Sequence, residues 1–515
     1  MIGVYNGHMV LSLRDCLAKH PPIMLRAIAE GWGISLTDEQ VPEIVDRLTD
    51  EMTNVETVAM VVQRLNDTER EALAYVEHMG RIKAPLLARR YGPIRPIGPG
   101  RLEWEPSWQR PASASERLWF LGLIHRDYGV DAQYHGEVFF IPAEIERVLP
   151  RLSASLPMFK VDPTEPPTTL RHDEDALARD AFVILSHLRH HDVRAKKGVL
   201  AKHELAQARR RLSDDHLPRL RFLHHTCQQA GLIHREEGVW QPTVQAAEWL
   251  KAEPLTRRAA LFKAWLEDMD WNDLCLIPGI SCEDTGWRND PVVARQGIVR
   301  QLHKCPLETW LTVDSLIESV HEVEPDFMRP DGDYDSWYIR DLTTGHYLMG
   351  FRNWNRVEGA YIGYLLESPL LWLGVVALGY TQEPTTVTSF KLTADGAAIV
   401  GLGEPIGARE SGPTVQDSGP APIVLRPDLQ VFVPREASWY DRFLLERFAR
   451  WIDEQHGTAR YTIDAASVDA ALQKGITTRQ IKAFLRRASQ GRVPGEMMSR
   501  LDSWHRADQA PVPRA

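Results

Sequence analysis

The residues best placed to do chemistry are cationic and amide side chains gathered on one segment. From Arg189 to Arg235 there are eleven Lys or Arg against four Asp or Glu, in a chain whose formal net charge is −10. Within it Leu220, Leu223, Cys227 and Ala230 fall at i, i+3, i+7 and i+10, the stripe that a helix buries. Arg221, His224, His225, Gln228 and Gln229 occupy the other side, with Arg219 beside them and Arg209, Arg210 and Arg211 just upstream. Such side chains donate to phosphate oxygens and to base edges. The segment also holds seven histidines, which add positive charge as pH falls toward ~6.5. A second basic stripe, Arg479, Lys482 and Arg486 at i, i+3 and i+7, lies in a stretch, Lys474 to Arg506, with eight Lys or Arg against Glu496 and Asp502. Both stripes suit a polyanion. A solvated basic face is the competing reading of each, and for the second it accounts for the pattern as well.

Catalytic patterns are absent or incomplete. No Gly-x-x-x-x-Gly-Lys-Ser/Thr follows the glycines at Gly98 and Gly100, so no loop cradles a triphosphate. Asp331, Asp333 and Asp335 imitate the start of a calcium loop, but Ser336 stands where the glycine is needed and Leu342 where the bidentate glutamate is needed. Cys275, Cys282, His303 and Cys305 lack the short spacing of a zinc site, and ordinary buried thiols are the simpler reading. No Gly-x-Ser-x-Gly elbow and no His-Glu-x-x-His occurs. The expectation is a non-enzyme with no cofactor and no metal. Paired carboxylates of a metal-dependent nuclease come from distant positions, so that reading stays open as a third choice.

The elements that must position the basic stripes follow from composition and pattern. At ~150 residues per domain, 515 residues predict three to four domains. Hydrophobic residues are 43% and charged residues 25%, as in folded protein. No apolar run reaches the ~18–20 residues of a membrane helix, and no export signal is visible, so no membrane partner is expected. Five scattered cysteines fit reduced thiols in a cytoplasmic protein. Val161 to Asp175 and Gly403 to Pro422 read as linkers rich in Pro, Gly and polar residues, and Arg329 to Asp335 as a further loop. They divide the chain into a helical block 1–160, a middle part that splits into 176–290 and 291–402, and a C-terminal block 421–506.

Val41, Ile44, Val45 and Leu48 mark one helix face. Thr68 to Glu71, Ser113 to Glu116 and Thr477 to Gln480 have the form of capping boxes. Short strands are expected at Leu123–His125, Val138–Ile141, Leu232–His234, Val239–Gln241 and Val424–Val433. The order of three helices and two short strands appears at about 68–142, with the third helix at Ser115–Gly122, and again at Ala176–Pro242. In the second copy helix two spans about His203 to Leu212 and helix three starts near Pro218. A third, nearly uncharged copy lies between Pro291 and Gly401. Three helices and a two-stranded wing form the winged-helix version of the helix-turn-helix, whose third helix enters the DNA major groove. In the C-terminal block a helix carrying Phe443, Leu444, Arg447, Phe448 and Trp451 is expected, then a strand from Tyr461, then helices Ser467–Lys474 and Thr478–Ser489. The expected fold class is mainly α with small β-hairpins (α+β), in tandem winged-helix units plus a C-terminal α/β domain.

The runs Pro422–Pro434, Ala459–Ser489 and Val493–Arg506 resemble the helicase-associated domain at the N-terminus of XPB-type DNA helicases. Pro427-Asp428, Tyr461, Ala471, Gly475, Phe484-Leu485, Pro494, Leu501 and Trp504 carry the resemblance. It covers about 80 residues, and no ATPase motor follows. The resemblance implies association with DNA, duplex or single-stranded, or with a separately encoded helicase. The function expected is non-catalytic DNA binding or scaffolding of a DNA complex. The alternative is a protein-interaction module without DNA contact.

Overall fold

The computed structural model describes residues 4–5, 8–9, 11–37, 39–130, 134–152, 156–194, 206, 208–381, 386–402 and 420–508. The protein is mixed α+β with small antiparallel sheets. Two compact units are built from interleaved segments. Unit 1 takes Met1–Lys160, Gly279–Gly297 and Glu318–Glu358, and unit 2 takes Val161–Pro278, Ile298–Ile317 and Gly359–Ala515. Among the described residues no helix is long and apolar enough to cross a membrane.

After a short antiparallel pair, Val4–Tyr5 with His8–Met9, unit 1 runs through helices α1 (Leu13–Ala18), α2 (Pro22–Trp32), α3 (Val41–Met52) and α4 (Val55–Gln63). The face expected on α3 is buried at Ile44, Val45 and Leu48 and continues to Met52, while Val41 at the first turn is exposed. Then come α5 (Asp67–Met79), β1 (Arg81–Lys83), α6 (Ala84–Tyr91), α7 (Ala114–Phe120), β2 (His125–Val130) and β3 (His135–Phe140). β3 pairs with both β1 and β2, all antiparallel.

The cap of α5 lies two residues earlier than expected. Asn66 Oδ1 accepts from the Glu69 amide at 2.9 Å, and the Glu69 carboxylate accepts from the Asn66 amide at 3.0 Å. Asparagine is a stronger N-cap than threonine, so Thr68 is drawn inside the helix. At α7 only half of the expected box forms. Ser113 Oγ accepts from the Glu116 amide at 3.0 Å. The Glu116 carboxylate turns inward instead, accepting from Arg95 Nε (2.8 Å), Arg95 Nη2 (2.7 Å) and the Ala112 amide (2.6 Å).

Unit 2 begins with β4 (Thr169–Arg171), which lies in the stretch read as a linker. It is the edge of a four-stranded sheet with β7 (Leu311–Thr312), β8 (Val376–Tyr380) and β9 (Val387–Leu392), ordered β7-β9-β8-β4. That segment is thus structural, which corrects its reading as a free connector. α8 (Ala176–His190) follows. The helix expected over His203–Leu212 lies partly outside the described residues; the described part, Ala208–Arg211, is a 3-10 turn. α9 (Leu217–Gln229) has Pro218 in its first turn, as expected, and leads into the hairpin β5 (Ile233–Glu236) and β6 (Val239–Pro242). An isolated bridge joins Val193 to Trp240 of that hairpin. α10 (Pro254–Leu266) comes next. Gly374 ends the apolar helical run with φ +70°, and a Cβ there would meet Glu174 O at 2.2 Å, so only glycine fits.

The C-terminal block of unit 2 has its own core, including Val431, Tyr461, Ile481, Leu485, Met497 and Leu501. The strand expected over Val424–Val433 is two paired strands, β10 (Val424–Leu425) and β11 (Gln430–Val433). Pro427-Asp428 forms the turn between them, as proline and aspartate favour, and Leu429 takes φ +68°. Helix α11 (Trp439–Leu445) stops before Trp451, which lies instead in β12 (Arg450–Gln455). β12 pairs with β13 (Thr458–Thr462), so Tyr461 closes a strand where it was expected to open one. Helices α12 (Ala465–Gln473), α13 (Thr478–Ala488) and α14 (Gly495–Asp508) follow. The Thr477 and Gln480 capping box is present as expected.

Candidate nucleic-acid interface

The basic segment separates into buried and exposed groups. Leu220, Leu223 and Cys227 of α9 are buried as expected, but so are Phe222, His224 and Thr226. Phe222 packs edge-on to Trp271 (5.6 Å) and lies against Trp372 (5.2 Å). The helix is therefore covered on two sides, and its outward face narrows to a stripe.

Arg219 is fully buried and paired with Asp180 of α8, with a further bond to Asp214 O at 3.1 Å. This corrects its assignment to the outer surface: an aspartate embedded among apolar side chains needs a counter-ion, and Arg219 is the one in reach. Arg211 is also withdrawn, donating to Glu446 at 2.5 and 3.0 Å with its side chain 14% exposed. His224 is buried edge-on to Trp240 at 4.6 Å. His225 bonds to Asp268, and Arg209 to Asp215. Lys482 is paired with Asp502. Five of these six are withdrawn from a polyanion, and Arg209, with its side chain 36% exposed, is held in a surface pair.

What stays open is a smaller set. Arg221, Gln228 and Gln229 are exposed on α9, Arg210 is exposed beside it, and Arg479 and Arg486 are exposed on α13. Among the described residues, none of these four arginines has an ion-pair partner. His234 and Arg235 are exposed on the adjoining strand β5. The arrangement offers cations and amide donors from a helix face flanked by a hairpin. Cys16, Cys227 and Cys305 are buried thiols that burial pushes up to about 12. Cys275 and Cys282 are not among the free thiols, which corrects the expectation of reduced thiols throughout.

Two histidines of the basic segment do not supply the added charge that the sequence implied. Burial pushes His190 and His224 down to about 4. In unit 1, burial together with the charge of His20 pushes His125 down to about 3. The ordinary value is ~6.5. Below it the unfolded chain takes up protons that buried His125 and His224 refuse. Stability is therefore complete above ~6.5 and falls as pH drops toward ~4, by about 2 kcal/mol per group at pH ~5. Calorimetric scans should show both units melting lower at pH ~5 than at pH ~7.5, and His224→Leu should remove part of the loss. A melting profile flat across that window would contradict the burial of these rings.

The buried pairs do have a signal in the sequence. Asp180 stands in a mostly apolar helical stretch, Ala176–Leu188, just before Ala181-Phe182-Val183-Ile184-Leu185, and Glu446 follows Phe443-Leu444-Leu445; each is a carboxylate that must find a cation. In comparison with known proteins, no family model matches the chain and no curated protein matches it significantly.

Proposed function

We propose that this chain is a non-catalytic nucleic-acid-binding protein, acting as a DNA-binding or scaffolding component, in the company of a separately encoded helicase. The observation that carries the reading is the stripe Arg221, Gln228 and Gln229 on α9. It remains exposed and uncommitted while the neighbouring cations are tied to carboxylates. The order of elements supports a winged-helix form. In unit 1, helix α5, strand β1, helix α6, an inserted short helix (Pro99–Trp104) and 3-10 turn (Ser107–Gln109), helix α7 and hairpin β2–β3 follow in turn, with β1 pairing β3. In unit 2, α8, the bridge at Val193, α9 and the hairpin β5–β6 repeat much of it. In this form the third helix reads the groove and the hairpin lies on the backbone. Arg479 and Arg486, on one face of α13 about two turns apart, add a second phosphate contact.

Fluorescence anisotropy with a labelled duplex tests the reading. Low-salt binding should weaken about tenfold in the Arg221→Ala, Gln228→Ala, Gln229→Ala variant. Each phosphate-contacting arginine removed should lower the salt slope by ~0.9. Absence of any duplex or single-strand binding at low salt sinks the proposal. A protein-docking role has its own support in unit 1, where Trp104 is 90% exposed and Val55 and Met60 of α4 are exposed. That role predicts that the α9 variant keeps every activity of the protein.

A further inference from the structure

A cleft of about 770 Å³ opens in unit 2, walled by α8, α10, α11 and β12. Most arginines at its wall are neutralised in place: Arg258 by Asp395 at 2.7 Å, Arg442 by Glu454 at 2.8 Å, Arg211 by Glu446. Two are not. Arg210 is exposed and has no ion-pair partner among the described residues. Arg257 is only 6% exposed, yet no carboxylate among the described residues pairs with it. Its guanidinium lies 3.8 Å over the ring of Trp439. Nη1 donates to the backbone carbonyl of Ala252 at 2.6 Å, Nε is buried without an acceptor, and Nη2 donates to no group among the described residues. Burial pushes this guanidinium down to about 10, against the pull of Glu253 and Asp175. A buried cation without a counter-ion is costly, and one that lines a cavity is suited to an anion that comes from outside.

The rest of the wall narrows the choice of anion. Arginine forks match phosphate oxygens, which accept two parallel N–H donors. Phe182, Trp439 and Trp451 line the same cleft, each with a guanidinium over its ring, Arg442, Arg257 and Arg211 in turn, and a base stacks on aromatic rings and on guanidinium planes alike. Glu436 and Asp453 at the wall can accept from sugar hydroxyls. The volume fits a small ligand and excludes a duplex. We propose that this cleft binds a single phosphate-bearing nucleotide, with Arg257 and Arg210 on the phosphate and the aromatic wall against the base. The same chemistry is offered by a free nucleoside phosphate and by the 5′-phosphorylated end of a strand. Only the second source rests on the nucleic-acid reading above.

The test is quenching of tryptophan fluorescence in the full chain. The titrants are adenosine monophosphate, adenosine, inorganic phosphate, and a short single strand with a 5′-phosphate or a 5′-hydroxyl. Saturable quenching is expected with the nucleotide or the phosphorylated strand, about tenfold tighter than with adenosine or phosphate alone. Preference for the phosphorylated over the hydroxyl end assigns the strand; saturation by the mononucleotide alone assigns the free ligand. Arg210→Gln and Arg257→Gln should each weaken binding about tenfold. Arg210 is exposed, so its variant reports even if the Arg257 variant does not fold. The inference is overturned if neither phosphate-bearing ligand saturates, if inorganic phosphate binds as tightly, or if Arg210→Gln changes nothing. Duplex binding by the α9 stripe is measured separately on ends without phosphate, so failure of one reading does not imply failure of the other.

Discussion

Arg219→Leu is expected to destabilise unit 2 by about 3–5 kcal/mol, while Arg221→Ala, two positions along the same helix, should change its stability by less than about 0.5 kcal/mol. The two arginines differ only in which side of α9 they leave. Arg219 is enclosed and holds Asp180, itself 0% exposed, with Asp180 also accepting from the Ser213 amide at 2.8 Å. Burial already raises the Asp180 carboxyl above its ordinary value, against the pull of Arg219. Without the guanidinium it must take up a proton or stay charged in a dry site, and either course is costly. Urea unfolding followed by tryptophan fluorescence reads the difference. The double variant Arg219→Leu, Asp180→Leu should recover most of the loss, because an apolar pair replaces a buried ion pair with little penalty. If Arg219→Leu melts like the parent protein, Arg219 does not hold a buried carboxylate, and the division of α9 into a committed and an open arginine fails. Duplex affinity should move the opposite way: reduced by Arg221→Ala, and unchanged by Arg219→Leu in whatever fraction remains folded.

Periodicity identifies elements where one face is apolar and the opposite face polar. α3, α9, α12 and α13 are legible for that reason. It cannot identify which polar residue on a basic helix is committed. Arg219 and Arg221 look alike in sequence, and the difference lies in Asp180, 39 positions away. Turn chemistry accounts for the missed hairpin β12–β13. Its turn is His456-Gly457, with φ +48° and +73°, the double positive φ that tight hairpins use and that is recognised most readily as Asn-Gly. Glu237-Gly238 has the same form, with φ +48° and +87°, and is legible only through the short apolar strands that flank it. The 169–171 strand is hidden for another reason: it joins its sheet through Tyr380 and Leu378, and no local pattern marks a strand completed by so distant a partner. The cleft around Arg257 is not legible at all, since its wall is gathered from four elements spread along unit 2.

The carboxylate of Glu446 gives the second large expected effect. It accepts from two nitrogens of Arg211, from Ser186 Oγ and from Tyr461 Oη at 2.6 Å. Burial works to raise its proton affinity, but Arg211, Arg442 and the Ser186 hydroxyl outweigh that and hold it below the ordinary carboxylate value. The linkage sign is that of a depressed carboxyl: the group stabilises the fold above its unfolded value of ~4.3 and loses that contribution as pH falls below it. Glu446→Ala should therefore cost about 3–5 kcal/mol, because it leaves the nearly enclosed Arg211 without a counter-ion and Tyr461 without an acceptor. Arg211→Met should cost a similar amount, and the two together less than their sum, since each removes the other's reason to be charged. The same cycle decides what Arg211 is for. An arginine held this way cannot turn to a phosphate without abandoning Glu446, so Arg211→Met should lower the unfolding midpoint while leaving the salt slope of duplex binding unaltered. A lowered slope with intact stability would return Arg211 to the nucleic-acid surface.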